Sequence, residues 1–325
     1  MNLHSRRVPL RGGVEISELG LGTAPLGGLY TSVSECESRA VISAALDAGI
    51  RYFDCAPHYG KGTAERRLGV ALQKISKEKF VISTKVGRLL VPGDGLADTD
   101  FADAPPDLVR VFDFSASGIE RSLEESLTRL GLNQVEMVLI HDPDDYADQA
   151  INEAMPTLIR MRDEGVIKAI GIGMNQSAMP TRFVNETDVD FVLIAGRYTL
   201  LDQSAEFDLL PAALSRGVDV IAAGVFSSGI LANPVAGAYF DYAPASKPAI
   251  AHAQELKRLL EELGVKLEQA AIQFPMRHPA VKAVVIGCRS VAEVSKNIEA
   301  FDADIPTSTW KAVSEFIESS GGWRD

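Results

Sequence analysis

Asp54, Tyr59, Lys85 and His141 stand at or just beyond the ends of three short apolar runs, in RYFDCAPHYG, FVISTKVG and EMVLIHDPDD. Brought to one place, these side chains can move a proton. A tyrosine has an ordinary pKa near about 10, so at neutral pH it is a poor base unless a cation beside it favours the phenolate. Lys85 carries such a charge, Asp54 can keep the lysine protonated and oriented, and His141 can hydrogen-bond a substrate oxygen. Each has an ordinary alternative: Asp54 capping a turn, Tyr59 a loop aromatic, Lys85 a solvated strand end, His141 serving Asp142. The four residues follow successive strands in chain order, with a Tyr-Gly pair five residues after the aspartate. That joint pattern favours a proton-transfer site. A strand-end lysine also fits a Schiff-base nucleophile, so a barrel aldolase is a second reading.

The elements that must carry these residues alternate along the chain. Strand-like cores at ELGLGTA, RYFD, KFVISTK, EMVLIH, IKAIGIG, DFVLIAG, VDVIAAG and AVVIG are separated by segments of helical period. Most are continuously apolar, as parallel strands covered on both faces require. Ser34 can cap the helix SECESRAVISAALDAG and Gly49 can end it, while Ile119, Leu123, Leu127 and Leu130 form one stripe of a helix leaving at Gly131. The tail PTSTWKAVSEFIESSGG reads as a last amphipathic helix. Eight βα units predict a closed α/β barrel of the (β/α)8 TIM type, with an open doubly wound sheet as the alternative. RRVPLRGGVEISE, turning at Gly12-Gly13, predicts a β-hairpin ahead of it. Two stretches break the rhythm: RLLVPGDGLADTDFADAPPDLVRVFDF after the third strand and GVFSSGILANPVAGAYFDYAPASKP after the seventh. Both read as loops by their Gly, Pro and Asp content, and at the C-terminal face of a barrel they would form a lid or specificity wall.

Barrels commonly use a chain of 325 residues for one domain, so residues 1–325 are expected to form a single unit. A composition 46% apolar and 23% charged is ordinary for a soluble protein, and no apolar run is long enough for a transmembrane helix. A net charge of −12 argues against a nucleic-acid partner, since such binding rests on clustered Lys and Arg. The start MNLHSRRVPLRGG lacks the apolar core of an export signal. Cys36, Cys55 and Cys288 are an odd, widely spaced set without metal-ligand spacing, so reduced thiols, a cytoplasmic setting and no metal are expected.

FDCAPHYG, Lys85 at a strand end, LIHDPDD and GIGMN together resemble the aldo-keto reductase superfamily along essentially the whole chain. The resemblance implies a (β/α)8 barrel binding a nicotinamide cofactor in extended form, with Asp54, Tyr59, Lys85 and His141 catalytic and Tyr59 and His141 also touching substrate. Gly20-x-Gly22 lacks the third glycine of a dinucleotide fingerprint. By resemblance, Gly22 and Thr23 instead lie near the nicotinamide, with Asp54 close by. Asn175 matches the asparagine that binds the carboxamide, though Met174 replaces the usual preceding serine and Ala195 stands where many members have a glutamine. Tyr198 resembles the aromatic stacking on the nicotinamide ring. GVFSSGIL resembles the loop over the pyrophosphate, assigning Val225, Phe226, Ser227, Ser228 and Gly229 to it. VVIGCRSVAEVSKN resembles the adenosine segment, with Ile286, Gly287, Arg289, Glu293 and Asn297. NADP-preferring members commonly have a base at the positions of Gly287 or Glu293. A carboxylate there repels a 2′-phosphate and can accept from a 2′-hydroxyl, so NAD is expected over NADP, although Arg289 could grip a phosphate.

AGRYTLLDQ, SSGILANP, GAYFDYAPA and FPMRHPAV further resemble the branch containing D-threo-aldose 1-dehydrogenases (L-fucose dehydrogenases) and pyridoxal 4-dehydrogenases. That likeness implies oxidation of a cyclic hemiacetal to a lactone. A small hemiacetal or aldehyde substrate follows, of the aldose type, with pyridoxal as the alternative and a non-catalytic cofactor-binding subunit as a further one. Oligomeric state is left open.

Overall fold

The eight strand-like runs close on themselves. In the computed structural model, which describes residues 2–94 and 98–320, they form a parallel barrel of β1 Leu19–Gly22, β2 Tyr52–Asp54, β3 Val81–Val86, β4 Met137–His141, β5 Ala169–Met174, β6 Phe191–Ala195, β7 Asp219–Ala223 and β8 Val281–Gly287. Each pairs with its sequence neighbour, and β8 meets β1 with Val284 opposite Leu19 and Gly287 opposite Gly22. This is the (β/α)8 fold expected from the alternation.

The interior is packed rather than hollow. Tyr52, Met137, Leu139, Phe191, Leu193 and Ile221 point inward and meet Leu10, Val14 and Ile16. Rings fill the room that glycines leave: a Cβ on Gly20 would lie 2.6 Å from Tyr52 Cδ1, and one on Gly171 2.6 Å from Phe191 Cζ. Leu10, Val14 and Ile16 belong to the predicted N-terminal hairpin, Arg7–Pro9 paired with Glu15–Ser17, which plugs the floor of the barrel.

The outer layer is helical: α1 Glu35–Asp47, α2 Thr63–Leu72, α3 Ala116–Leu130, α4 Met155–Asp163, α5 Ala178–Glu186, α6 Leu209–Arg216, α7 Lys247–Glu262, α8 Leu267–Gln273, α9 Val291–Phe301 and α10 Thr307–Ser320. Ser34 caps α1 in a reciprocal box with Glu37, a device worth about 1 kcal/mol. Ile119, Leu123 and Leu130 bury the α3 stripe, with Leu127 half-buried, and Gly131 ends the helix in the left-handed region. The last two glycines of the expected tail helix lie outside the described residues. Among the described residues no helix is long and apolar enough to cross a membrane.

Reading the two long segments as loops throughout is corrected. The first contains a hairpin, Arg88–Pro92 antiparallel to Leu108–Phe112, although residues 95–97 of the same stretch are outside the described set. The second contains a tight hairpin, Tyr239–Phe240 with Ala243–Pro244, whose corner residues Asp241 and Tyr242 both have positive φ (46° and 64°). Local turn signals fail for the first hairpin because its strands are separated by residues 93–107. In the second, the corner uses a tyrosine where Gly or Asn is usual.

Candidate active site

Asp54 closes β2, His141 closes β4, and Lys85 is the penultimate residue of β3, so three side chains reach the same barrel mouth. Tyr59 comes from the turn between β2 and α2. That turn is pressed onto the chain after β1, where a Cβ on Gly60 would lie 2.3 Å from the Gly27 carbonyl oxygen. The glycine contact brings the phenol over the lysine.

Lys85 is almost fully buried and uses all three of its N–H donors: to Asp54 Oδ2 (2.6 Å), Tyr59 Oη (2.9 Å) and the Cys55 carbonyl (3.0 Å). Asp54 is steadied on its other oxygen by Ser83, which donates at 2.7 Å. An ammonium only donates, so Tyr59 Oη is the acceptor, and the phenol's own hydrogen is left for a different oxygen. Burial works against the lysine's charge, but Asp54 and Tyr59 overcome it and raise its pKa. Burial also raises the Tyr59 pKa, outweighing the pull of Lys85. The protein by itself therefore holds a neutral phenol, not the phenolate that a cation alone would favour.

His141 lies across from Tyr59, ring centroids 6.0 Å apart and nearly perpendicular. Its Nε2 is 3.5 Å from Asp142 Oδ2, and its Nδ1 is buried without a partner among the described residues. Where the ring borders the open mouth beside Tyr59 and Lys85, a ligand oxygen can meet it. Burial, with Arg88 and Lys85 nearby, holds its pKa well below the usual histidine value, so the ring is neutral.

Tyr59, Lys85 and His141 open into a cavity of about 490 Å³ lined also by His58, Phe101, Asn175 and Tyr242. An adjoining cleft of about 210 Å³ shares Tyr59, Ala195 and Arg197 and runs past Gly22 to Ser228 and Gly287. A roomier groove, about 1020 Å³, lies outside the mouth against Phe207 and Glu318. None of the four residues borders it, so chemistry rather than volume selects the site.

The sequence profile described as "Aldo/keto reductase family" matches residues 18–318. The chain belongs to that family. It is 41% identical over 312 residues to the D-threo-aldose 1-dehydrogenase of a Pseudomonas species, covering 93% of this chain and 94% of that one. It is 40% identical over 323 residues to the pyridoxal 4-dehydrogenase of Microbacterium luteolum, covering 92% and 94%. In fold it is similar to an aldo-keto reductase of Bacillus halodurans in its holo form, with a TM-score of 0.78 at 22% identity and 96% of both chains covered. As an aldo/keto reductase, the protein is an NAD(P)-dependent oxidoreductase.

The adjoining cleft has features that fit a nicotinamide dinucleotide. Its walls are small: a Cβ on Gly22 would lie 2.9 Å from Val285 Cγ1, and Ala195, Ala223, Gly196 and Gly224 continue the wall. Asn175 borders the neighbouring cavity, and its carbonyl accepts from Arg197 Nε at 2.5 Å. In the loop after β7, Ser227 and Ser228 both have positive φ, and the backbone N–H groups of Phe226 and Ser228 have no partner among the described residues. Free amides in such a turn suit an anion. The hydroxyls are partly committed: Ser227 donates to Thr199 (3.1 Å) and Ser228 accepts from the Tyr242 amide (2.9 Å). Among the described residues no group of His, Cys, Asp and Glu is placed to hold a metal.

Several of the residues expected at the cofactor make other contacts in the structure. Tyr198 does not line either cavity; its ring packs on Phe274 (5.1 Å) and His278 (5.9 Å). Gly196 turns the chain with φ 73°, sending Arg197 to the cleft and Tyr198 into the helix layer. Thr23 is buried, its hydroxyl directed to the Asp54 carbonyl and Cys55 Sγ. Val225 and Ile286 are core side chains, and Phe226 is half-buried against the core, leaving backbone as their means of contact. Gly229 bridges to Tyr239 rather than bordering the cleft. Glu293 accepts from the Arg289 amide (2.8 Å), Arg289 reaches the Leu29 carbonyl, and Asn297 donates to Cys288 Sγ. Sequence reasoning missed His58 and Arg88, whose signal was a second histidine beside Tyr59 and an arginine opening the segment after β3.

Proposed function

We propose that the protein oxidises the anomeric carbon of an aldose of the L-fucose or D-threo type to a lactone, using NAD. The observation that carries the chemistry is Lys85 donating to Tyr59 Oη beside a neutral His141, at the base of a polar-lined cavity. The substrate class is supported by the 41% identity to a D-threo-aldose 1-dehydrogenase across nearly the whole chain. Asp54, Tyr59, Lys85 and His141 act as the catalytic group. Tyr59 and His141 hold the anomeric oxygen between them, and in oxidation Tyr59 takes its proton while Lys85 stays charged beneath. The bound nicotinamide supplies the hydride acceptor. Asn175, the backbone of residues 225–228, Gly22 and the segment 286–297 hold the cofactor.

A preference for NAD is supported at Gly287, where any Cβ would stand 2.6 Å from Pro25 Cγ, so a basic side chain has no room without moving the proline. Arg289 Nη2 donates to the Leu29 carbonyl at 3.3 Å, which draws the guanidinium toward that loop, while its Nε is buried without a partner among the described residues. The aldolase reading is disfavoured because a lysine with every N–H engaged and a raised pKa has no free electron pair for a carbonyl. The described cysteines are all free thiols, in keeping with a cytoplasmic setting.

NAD should be reduced by L-fucose, read as NADH absorbance, with weaker turnover on NADP; no reduction across a panel of aldoses would sink the sugar reading. Pyridoxal is the second substrate to try, on the strength of the 40% identity to a pyridoxal 4-dehydrogenase.

The pH profile should differ between directions. Oxidation needs the phenolate of Tyr59, whose raised pKa lies above the working range, so kcat/KM should climb about tenfold per pH unit from neutral into the alkaline range. Reduction uses the phenol, which is fully present there, and should be flat. Because His141 is held neutral, no inflection is expected near about 6.5. A histidine-like limb in initial-rate profiles would contradict this assignment.

A further inference from the structure

We infer that His58 is a substrate-binding residue, a fixed imidazole N–H that donates to a hydroxyl oxygen on the carbon next to the reacting one. The inference rests on the reading of the cavity of about 490 Å³ as the substrate site. His58 borders that cavity, its ring 6.1 Å from the Tyr59 ring and 5.7 Å from the His141 ring, centroid to centroid. It therefore stands beside the pair that holds the reacting oxygen.

The tautomer is decided by one neighbour. Arg88 Nη1 lies 3.2 Å from His58 Nδ1. A guanidinium has donors and no acceptor, so Nδ1 must accept and the ring hydrogen sits on Nε2. Among the described residues, Nε2 has no hydrogen-bond partner. Burial, with Arg88 and then Arg110, pushes the His58 pKa down to about 3, so this tautomer persists as a neutral ring at working pH.

The ring is also held from several sides. Arg110 donates to the His58 carbonyl at 2.9 Å, and Phe101 meets the ring edge-on at 5.3 Å. Arg88 is itself anchored to Asp142 Oδ2 (2.5 Å), and Arg110 to Asp98 Oδ2 (2.5 Å). Both arginines come from the hairpin inserted after β3, which thus serves as the scaffold for His58. With the two guanidinium charges matched by carboxylates, the donor suits a neutral hydroxyl rather than an anion. Vicinal oxygens of a diol sit about one hydrogen-bond length apart, so one can meet Tyr59 and His141 while its neighbour meets His58.

The test compares reduction of 2-hydroxypropanal and propanal with NADH, a pair that differs only in that hydroxyl. The wild type is expected to favour 2-hydroxypropanal in kcat/KM. His58→Phe should lower that preference about tenfold, with the loss in KM rather than kcat, the scale of one lost hydrogen bond. His58→Gln, which keeps an N–H donor, should restore part of it. An unchanged preference in His58→Phe, or a wild type without one, would overturn the inference. The sugar reading fails separately, if L-fucose and other aldoses reduce no NAD while the aldehyde pair still reports on His58.

Discussion

Tyr59→Phe is expected to lower kcat in both directions by about 10²- to 10⁴-fold, the usual worth of a positioned acid or base, while NAD still binds. The substitution is narrow. Phenylalanine keeps the ring stacked near Phe101 (6.2 Å between centroids) and against the Lys85 ammonium (4.5 Å from its centroid), so packing and the cation–π contact survive. Only the oxygen is lost, and with it the atom poised to exchange a proton with substrate. Lys85 is left with one unpaired N–H in a buried place, a cost of about 1–3 kcal/mol that should appear as a modest fall in Tm. Steady-state kinetics beside a fluorescence titration with NAD separates these effects. Wild-type turnover by this variant would remove Tyr59 from the chemistry and leave the family's other polar groups to be examined.

Lys85→Met should injure both activity and the fold. The Asp54–Lys85 pair is buried, with side chains 3% and 1% exposed. Removing the lysine strands a carboxylate whose remaining side-chain donor is Ser83. Losing one member of such a pair costs about 3–5 kcal/mol, because the partner's desolvation is no longer offset. The paired replacement Asp54→Leu with Lys85→Met should recover much of that stability while remaining inactive. Denaturant midpoints for the single and double variants decide it. If the single variant is as stable as the wild type, Asp54 does not depend on its lysine in the way the geometry implies.

The barrel and the quartet were legible for the same reason. Parallel strands buried on both faces leave continuous apolar runs, and polar residues at their ends stand out against them; Asp54, Lys85 and His141 are such residues. His58 carried no comparable mark, since its role depends on Arg88, which reaches it only because a hairpin folds between strands distant in sequence. Tyr198, which the resemblance sets against the nicotinamide, follows the left-handed turn at Gly196 and packs its ring on Phe274 and His278, while Arg197 faces the cleft. The resemblance sets the Glu293 carboxylate near the adenosine ribose, and in the structure that carboxylate accepts from the Arg289 amide just before α9. Such backbone contacts are set by local geometry that residue type alone does not encode.

The hairpin under the barrel makes the site a blind well. Leu10, Val14 and Ile16 seal the end away from the mouth, so a ligand and the water it displaces must pass through the same rim. Timing of solvent exclusion then belongs to the rim, with Tyr30, Phe101 and Tyr242, and the floor has no part in gating. Its contribution is dielectric: it fills the space beneath Lys85 with apolar side chains, Leu139 and Phe191 among them, which lets a handful of short contacts decide where the proton resides.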